Sequence, residues 1–301
     1  MREVAQRDGR WGVALVLLLS AAGCQVERGE SSFEAQTFED VGTPEVGPSG
    51  DVGLGDGEGA GTLGGVWLQA HRASSCVLGQ EQVSMGYYVV TIAEDGELLD
   101  EERTLCELEL SPVLGLRPLV PPAVVESIVT PAIDQGFVTR PTTGGAYTSS
   151  TEVGLWGLEL DDPVGDAIPT EAGDPAVVDA DEDGEPGVTL EIAGSNCRRY
   201  MAQRQIVRYT GRLTAPNLIE GSSATTTRME VYGASASLCA IAPDVEPNDA
   251  FSTFKMVRID GLGGAINLDD DGDGTISCAE AAPYFAEVLS TREPDAENCR
   301  P

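Results

Sequence analysis

The sequence predicts an all-β protein, an antiparallel barrel or a two-sheet sandwich, with a short helix near its C-terminal end. Three observations carry that expectation. Past residue 63, short apolar segments alternate with Gly, Pro, Asn and Asp clusters. Asp95-Gly96 falls between two such segments and is the strongest short hairpin signal in the chain. Thr104-Leu-Cys-Glu-Leu-Glu-Leu110 alternates strictly, which would put Cys106, Leu108 and Leu110 on one side and Glu107 and Glu109 on the other.

Taken in order, Gly64 to Arg72 reads as a first strand and Met85 to Ala93 as a second. The hairpin at Asp95-Gly96 leads to a third, ending at Leu110. Pro121 to Val129 fits a short helix with proline at its start, where the missing N–H costs nothing. Further strands are expected near Val153–Leu160, Val188–Ala193, Arg199–Leu213, Thr225–Tyr232 and Phe251–Asp260, about eight in all. A β domain over 63–260 is then followed, over 261–301, by an acidic loop and an exiting helix packed on it. That helix runs from Ala279 towards Leu289, with Pro283 near its start.

Residues 269 to 280 read Asp-Asp-Asp-Gly-Asp-Gly-Thr-Ile-Ser-Cys-Ala-Glu. Asp269, Asp271 and Asp273 occupy alternate places. Gly274 stands where the chain must turn sharply, Ile276 two places on, and Glu280 at the twelfth position. Alternate carboxylates on a tight turn converge on one point, and a later Glu can close a shell of hard oxygen ligands. The stretch resembles an EF-hand calcium loop. That resemblance implies calcium held by the three aspartates, the Thr275 carbonyl, Ser277 directly or through water, and Glu280. The alternative is a plain Asp/Gly turn. The flank Gly261 to Leu268 has three glycines and no helical period, so a single loop with one exiting helix is expected rather than a paired module.

Asp179-Ala-Asp-Glu-Asp-Gly-Glu-Pro-Gly187 repeats the acidic core ahead of a strand. Asp179, Asp181 and Asp183 are candidate ligands for a second Ca2+. Pro186 and Leu190 stand at positions eight and twelve, so the closing Glu is missing. Glu191, Asp166 or Asp174 would have to replace it, and an acidic hairpin is the alternative.

The N-terminus carries Arg2, Arg7 and Arg10 before an apolar run from Gly12 to Ala22, then Gly23-Cys24. The run is too short to span a bilayer as a helix and has the size of a secretory core. Small residues before a cysteine resemble a bacterial lipobox, which implies a signal peptide over 1–23 and lipidation of Cys24; an ordinary signal peptide is the alternative. Residues 24–62 form an acidic Gly-rich tether. Past the cysteine it holds nine acidic residues, one basic residue and nine glycines, too few apolar groups to fold. Of seven cysteines, Cys24 leaves six: Cys76, Cys106, Cys197, Cys239, Cys278 and Cys299. An even set suits disulfides in an oxidising compartment. Pairing of neighbours is expected: Cys76–Cys106, Cys197–Cys239 and Cys278–Cys299.

Net charge is −32, from 50 acidic and 18 basic residues. Phosphate contact needs a basic footprint, so nucleic acid is not expected as a partner. Membrane attachment would rest on the lipid. Gly65-Val66-Trp67 resembles the G-x-W of lipocalins, and Arg258 would cover Trp67 as a lipocalin arginine does; a core tryptophan with a surface arginine is the alternative. His71 is the only histidine, and no G-x-S-x-G elbow accompanies it. The whole layout resembles uncharacterised bacterial lipoproteins that join a lipobox, an acidic linker, a cysteine-bearing β domain and a terminal EF-hand-like loop. Those expectations meet in a non-enzymatic, calcium-binding module of the bacterial envelope, anchored to the outer membrane, with calcium in a structural role. A lipocalin-like carrier of a small apolar ligand comes second and a carboxylate-based hydrolase third. The sequence names neither the protein partner nor the ligand.

Overall fold

Long antiparallel strands carry the architecture. In the computed structural model the described residues are 61–194, 197–240, 244–288, 294–295 and 297–299. The expected signal peptide, Cys24 and all but the last two residues of the tether lie outside them. All the described residues fall in the compact unit Asp51–Pro301.

The strands are β1 (Gly65–Val77), β2 (Gln80–Asp95), β3 (Leu98–Leu110), β4 (Pro118–Leu119), β5 (Gly136–Val138), β6 (Ala146–Thr148), β7 (Glu152–Trp156), β8 (Val188–Ile192), β9 (Cys197–Ala215), β10 (Leu218–Ala234), β11 (Val245–Pro247) and β12 (Thr253–Arg258). Helix α1 spans Pro122–Ser127. After the acidic loop come α2 (Cys278–Ala281) and α3 (Phe285–Val288), joined by a 3₁₀ turn that contains Pro283. The expected exiting helix is therefore broken in two, because proline cannot donate to the preceding turn.

Twelve strands form one antiparallel sheet in the order β10-β12-β1-β2-β3-β5-β6-β9-β8-β4. The β9–β10 pairing returns the order on itself. Strand β11 adds to β1, and β7 to β9. The expected all-β antiparallel class and its short C-terminal helix are what the chain forms. The strands exceed the expected eight because β4, β5, β6 and β11 are only two or three residues long, and runs that short carry no periodicity. A turn at Leu78-Gly79 also went without a sequence signal. Leu78 takes φ 52° and Gly79 φ 74°, the left-handed pair that a two-residue hairpin needs. The hairpin after Asp95 forms as expected, with Asp95 opposite Leu98 and Gly96 at φ 68°.

One face of the sheet packs inward on Trp67, Val90, Tyr147, Tyr209, Phe254 and Met256. Each such side chain stabilises the fold by about 1.5–3 kcal/mol relative to exposure. The opposite face of β1 and β2 is covered by the C-terminal segment. There Leu68, Ala70, Met85 and Tyr87 meet Ile276, Ala281, Phe285 and Val288. Tyr87 and Phe285 stack with ring centres 4.7 Å apart.

Two expectations are corrected here. Cys106 and Leu108 do not share a face: Cys106 packs with the outer cluster and Leu108 with an inner one around Val124, Trp156 and Met201. The cause is an irregularity in the β2–β3 register between Tyr87 and Tyr88, where one extra residue of β3 resets the alternation. The disulfides join Cys76–Cys299, Cys106–Cys278 and Cys197–Cys239, with Cα separations of 5.5, 5.2 and 6.1 Å. Only Cys197–Cys239 pairs as neighbours. The C-terminal segment crosses the outer face of β1–β3, which places Cys278 beside Cys106 and Cys299 beside Cys76.

Arg258 lies opposite Trp67 in the β1–β12 register, with its guanidinium 5.4 Å from the indole centre. It is not a surface residue, being 3% exposed. Its Nε donates to Asp260 at 2.9 Å and its Nη1 to the Thr62 carbonyl at 2.9 Å, which clamps the start of β1 to the end of β12.

Candidate metal centres

The acidic loop after Leu268 brings Asp269, Asp271 and Asp273 together, with a carboxylate oxygen of each within 4.8 Å of the others. Gly272 at φ 74° and Gly274 at φ 87° let the backbone curl so that alternate side chains converge. Local bonds hold the curl. The Gly274 amide donates to Asp269 Oδ2 at 3.1 Å, and the Asp273 amide to Asp271 Oδ1 at 3.1 Å. The Thr275 amide and hydroxyl reach Asp273 Oδ1 at 2.8 and 2.6 Å. Asp269 Oδ1 is buried and has no hydrogen-bond partner among the described residues.

Of the four expected carboxylate ligands, these three aspartates are the ones that converge. Glu280 is engaged elsewhere. Its Oε2 accepts from the Ser277 amide and hydroxyl at 2.8 and 2.7 Å, and its Oε1 from the Asp270 amide at 3.0 Å. Ser277 and Glu280 thereby form a capping box on α2. These bonds, led by the one from the Ser277 amide, hold the Glu280 carboxyl below the usual carboxylate range. Ile276 packs against the cluster beneath and roots the loop on the sheet. Cys278, its tenth residue, is bonded to Cys106 on β3.

The second loop repeats the arrangement. Asp179, Asp181 and Asp183 each offer an oxygen within the same 4.8 Å. The Gly184 amide donates to Asp179 Oδ2 at 2.9 Å, matching the Gly274–Asp269 bond at the same spacing of five residues. Gly184 takes φ 89°. Asp181 Oδ2 accepts from the Thr189 amide at 2.9 Å, while its Oδ1 is buried without a partner among the described residues. Desolvation pushes the Asp181 carboxyl up, and the charges of Asp183 and Asp179 add to the shift. Two carbonyl bonds close the base, Ala180 N to Gly187 O at 3.0 Å and Gly187 N to Val178 O at 3.1 Å. The loop is also held tightly against β9. A Cβ on Gly187 would overlap the Met201 carbonyl.

Each triad thus concentrates three carboxylates and strands one buried oxygen. Hard oxygen donors at this density fit a divalent cation of the calcium or magnesium kind, and carboxylates this close repel one another without one.

The inner face also holds a polar cluster around Arg103, which no local motif marks. Arg103 donates to Gln69 at 3.0 Å, to Tyr147 at 2.9 Å, to Glu101 at 3.3 and 3.4 Å and to Glu152. Ser150 supplies its amide to Glu101 at 2.6 Å. His71 lies 2.8 Å from the Ser223 hydroxyl and 3.3 Å from the Tyr209 hydroxyl. Burial, with the Arg103 charge second, lowers its pKa to about 3, so it is neutral. One signal was available. Leu99, Glu101, Arg103 and Leu105 share one parity on β3, and the two leucines mark that face as the buried one.

Comparison with protein-family models, with curated proteins and with solved structures gives no match.

Proposed function

We propose that the protein is a calcium-binding, disulfide-tied β module of the bacterial envelope, anchored through lipid on Cys24, with calcium as a structural ion. The observation that carries the reading is the duplicated aspartate triad, each copy with one buried, unpartnered carboxylate oxygen. Asp269, Asp271, Asp273, Asp179, Asp181 and Asp183 would hold the ions, with Glu280 able to join after release from its cap. Bound calcium would neutralise the clustered charge and fix each loop against the sheet. Three disulfides support an oxidising compartment and leave Cys24 as the odd cysteine.

Native mass spectrometry of the exported chain should show a lipid on Cys24, three disulfides and bound calcium. Calorimetry should show the melting temperature rising with calcium. Binding to the folded form alone stabilises by about 2.7 kcal/mol at a hundredfold excess over Kd. Extracellular sites of this kind bind at roughly 10⁻⁴ to 10⁻³ M, so 10 mM, about ten times the weakest of these, is a sufficient test concentration. Magnesium should do less, since it sheds water reluctantly. Glu280→Gln should weaken the calcium response more than Asp183→Asn, while changing metal-free stability by less than about 1 kcal/mol, because Gln still serves a capping box. No rise in melting temperature at 10 mM calcium would sink the reading.

A further inference from the structure

Strand β3 is paired along its whole length to β2, yet on its other side only Leu98 and Leu99 are taken, by β5. From Asp100 to Leu110 that edge has no strand partner among the described residues. An open edge of this length is a template for another strand, and most proteins cover it. Here the covering segment hydrogen-bonds the strand only near its start, through Gln135 on Asp100 and Thr130 on Arg103 among the described residues, and leaves space beside the stretch beyond. A cleft of about 1000 Å³ runs beside Glu101–Leu110, with residues 117–132 as its far wall and Cys278, bonded to Cys106, also in its lining. The edge groups face into it, since Thr130 on the far wall donates its hydroxyl to the Arg103 carbonyl at 3.0 Å.

The lining is apolar within and acidic at the margin. Leu105, Leu108, Val120 and Ile128 are partly buried in the adjoining cores. Around them stand Glu102, Glu107, Glu109 and Glu126. The only outward cation in the lining is Arg117, 3.9 Å from Glu109, with both side chains about half exposed. Arg103 turns inward and is consumed by Glu101 and Glu152. Glu107 is short of a counter-charge: desolvation, then the Glu109 charge, push its carboxyl up.

We propose that this cleft binds an extended, basic polypeptide segment, which adds to β3 as a strand in line with β5 and sets its cationic side chains against the glutamates. A free backbone edge recognises another backbone, since alternate N–H and C=O groups find partners only on an extended peptide. The acids select the sign of the side chains. They also exclude two nearer occupants. The tether of this chain is itself acidic, with nine acidic residues and one basic one. A second copy joined edge to edge would, by two-fold symmetry, set these glutamates against one another.

The test uses the full, disulfide-oxidised chain and a blocked seven-residue peptide of alternating valine and lysine. We expect saturable binding by fluorescence anisotropy, and slowed amide exchange confined to Asp100–Leu110 and the far wall. Two further peptides carry backbone N-methyl groups on one or the other alternate set of residues. One set faces β3 and should abolish binding; the other faces away and should leave it intact. A valine–glutamate peptide should not bind. The double variant Glu107→Gln, Glu109→Gln, which alters only outward side chains, should weaken the lysine peptide about tenfold. No binding at millimolar peptide, equal binding of both N-methylated peptides, or protection elsewhere on the chain would each overturn the proposal. Undiminished affinity in the double variant would overturn the assignment of a basic partner.

Discussion

His71 shows what burial does to one residue. It sits on the inner face at 4% exposure, its ring edge-on to Tyr209 with centroids 5.0 Å apart. Folding depresses its pKa from 6.5 to about 3, so between those values the unfolded chain holds a proton that the folded chain does not. The stability His71 contributes is therefore fully present above pH 6.5 and is lost as pH falls towards 3. The loss over that window is on the order of 4 kcal/mol. Replacing His71 by Gln, which keeps a hydrogen-bonding group but cannot take up the proton, should flatten the acid limb. Urea unfolding of parent and variant at matched pH values from 7 to 4 checks this. Parallel curves would mean that His71 charges as readily folded as unfolded.

At the scale of elements, the acidic loop, α2 and β3 act together because Cys106–Cys278 joins them. That bond keeps the loop's exit in place whether or not an ion is bound. Replacing both cysteines by serine should cost about 2–4 kcal/mol. It should also move the calcium midpoint to higher concentration, because the loop must then be ordered on binding. A calcium titration followed by calorimetry reads both effects; an unchanged midpoint would show that the loop orders itself. The sequence disclosed these elements unevenly. The aspartate triads were legible because ligand spacing is local, and twelve residues contain the whole pattern. The long strands were legible because alternation persists over many residues. The face of Cys106 is not legible because a bulge is a backbone event that leaves the residue pattern of 104–110 looking regular. The pairings of Cys76 and Cys278 are not legible in the sequence because they depend on the route of the C-terminal segment across the sheet, which no short window contains. Glu280 carries two local signals at once, the twelfth place of the loop and, three places after Ser277, a capping box, and in the structure the second is the one formed.

For the whole molecule, the decisive relation is between its two ends. The described residues enter the sheet at β1, and the last of them lie against the same strand. Glu81, opposite Cys76 in the β1–β2 register, accepts from the Asp295 amide at 2.6 Å and the Asn298 side chain at 3.1 Å, and Cys76 is bonded to Cys299. The outer face of β1 and β2 is thus fixed twice, by the apolar contacts of Phe285 and Val288 and by a covalent bond beyond them.

That bond has a mechanical meaning. A protein held at its N-terminus and pulled from its far end carries tension along the shortest covalent path, and here the path steps from Cys76 directly to Cys299. A separation of 223 residues is short-circuited, hiding roughly 75 nm of contour from an applied load. In a single-molecule stretching experiment with handles at residue 61 and the C-terminus, the oxidised protein should lengthen by only a few nanometres before the handles detach. After reduction the hidden length should appear, in one step or several. Full extension without reductant would show that the bridge is open. With the bridge closed, the domain passes tension between these two points without unravelling, and of its strands only β1 lies on the loaded path.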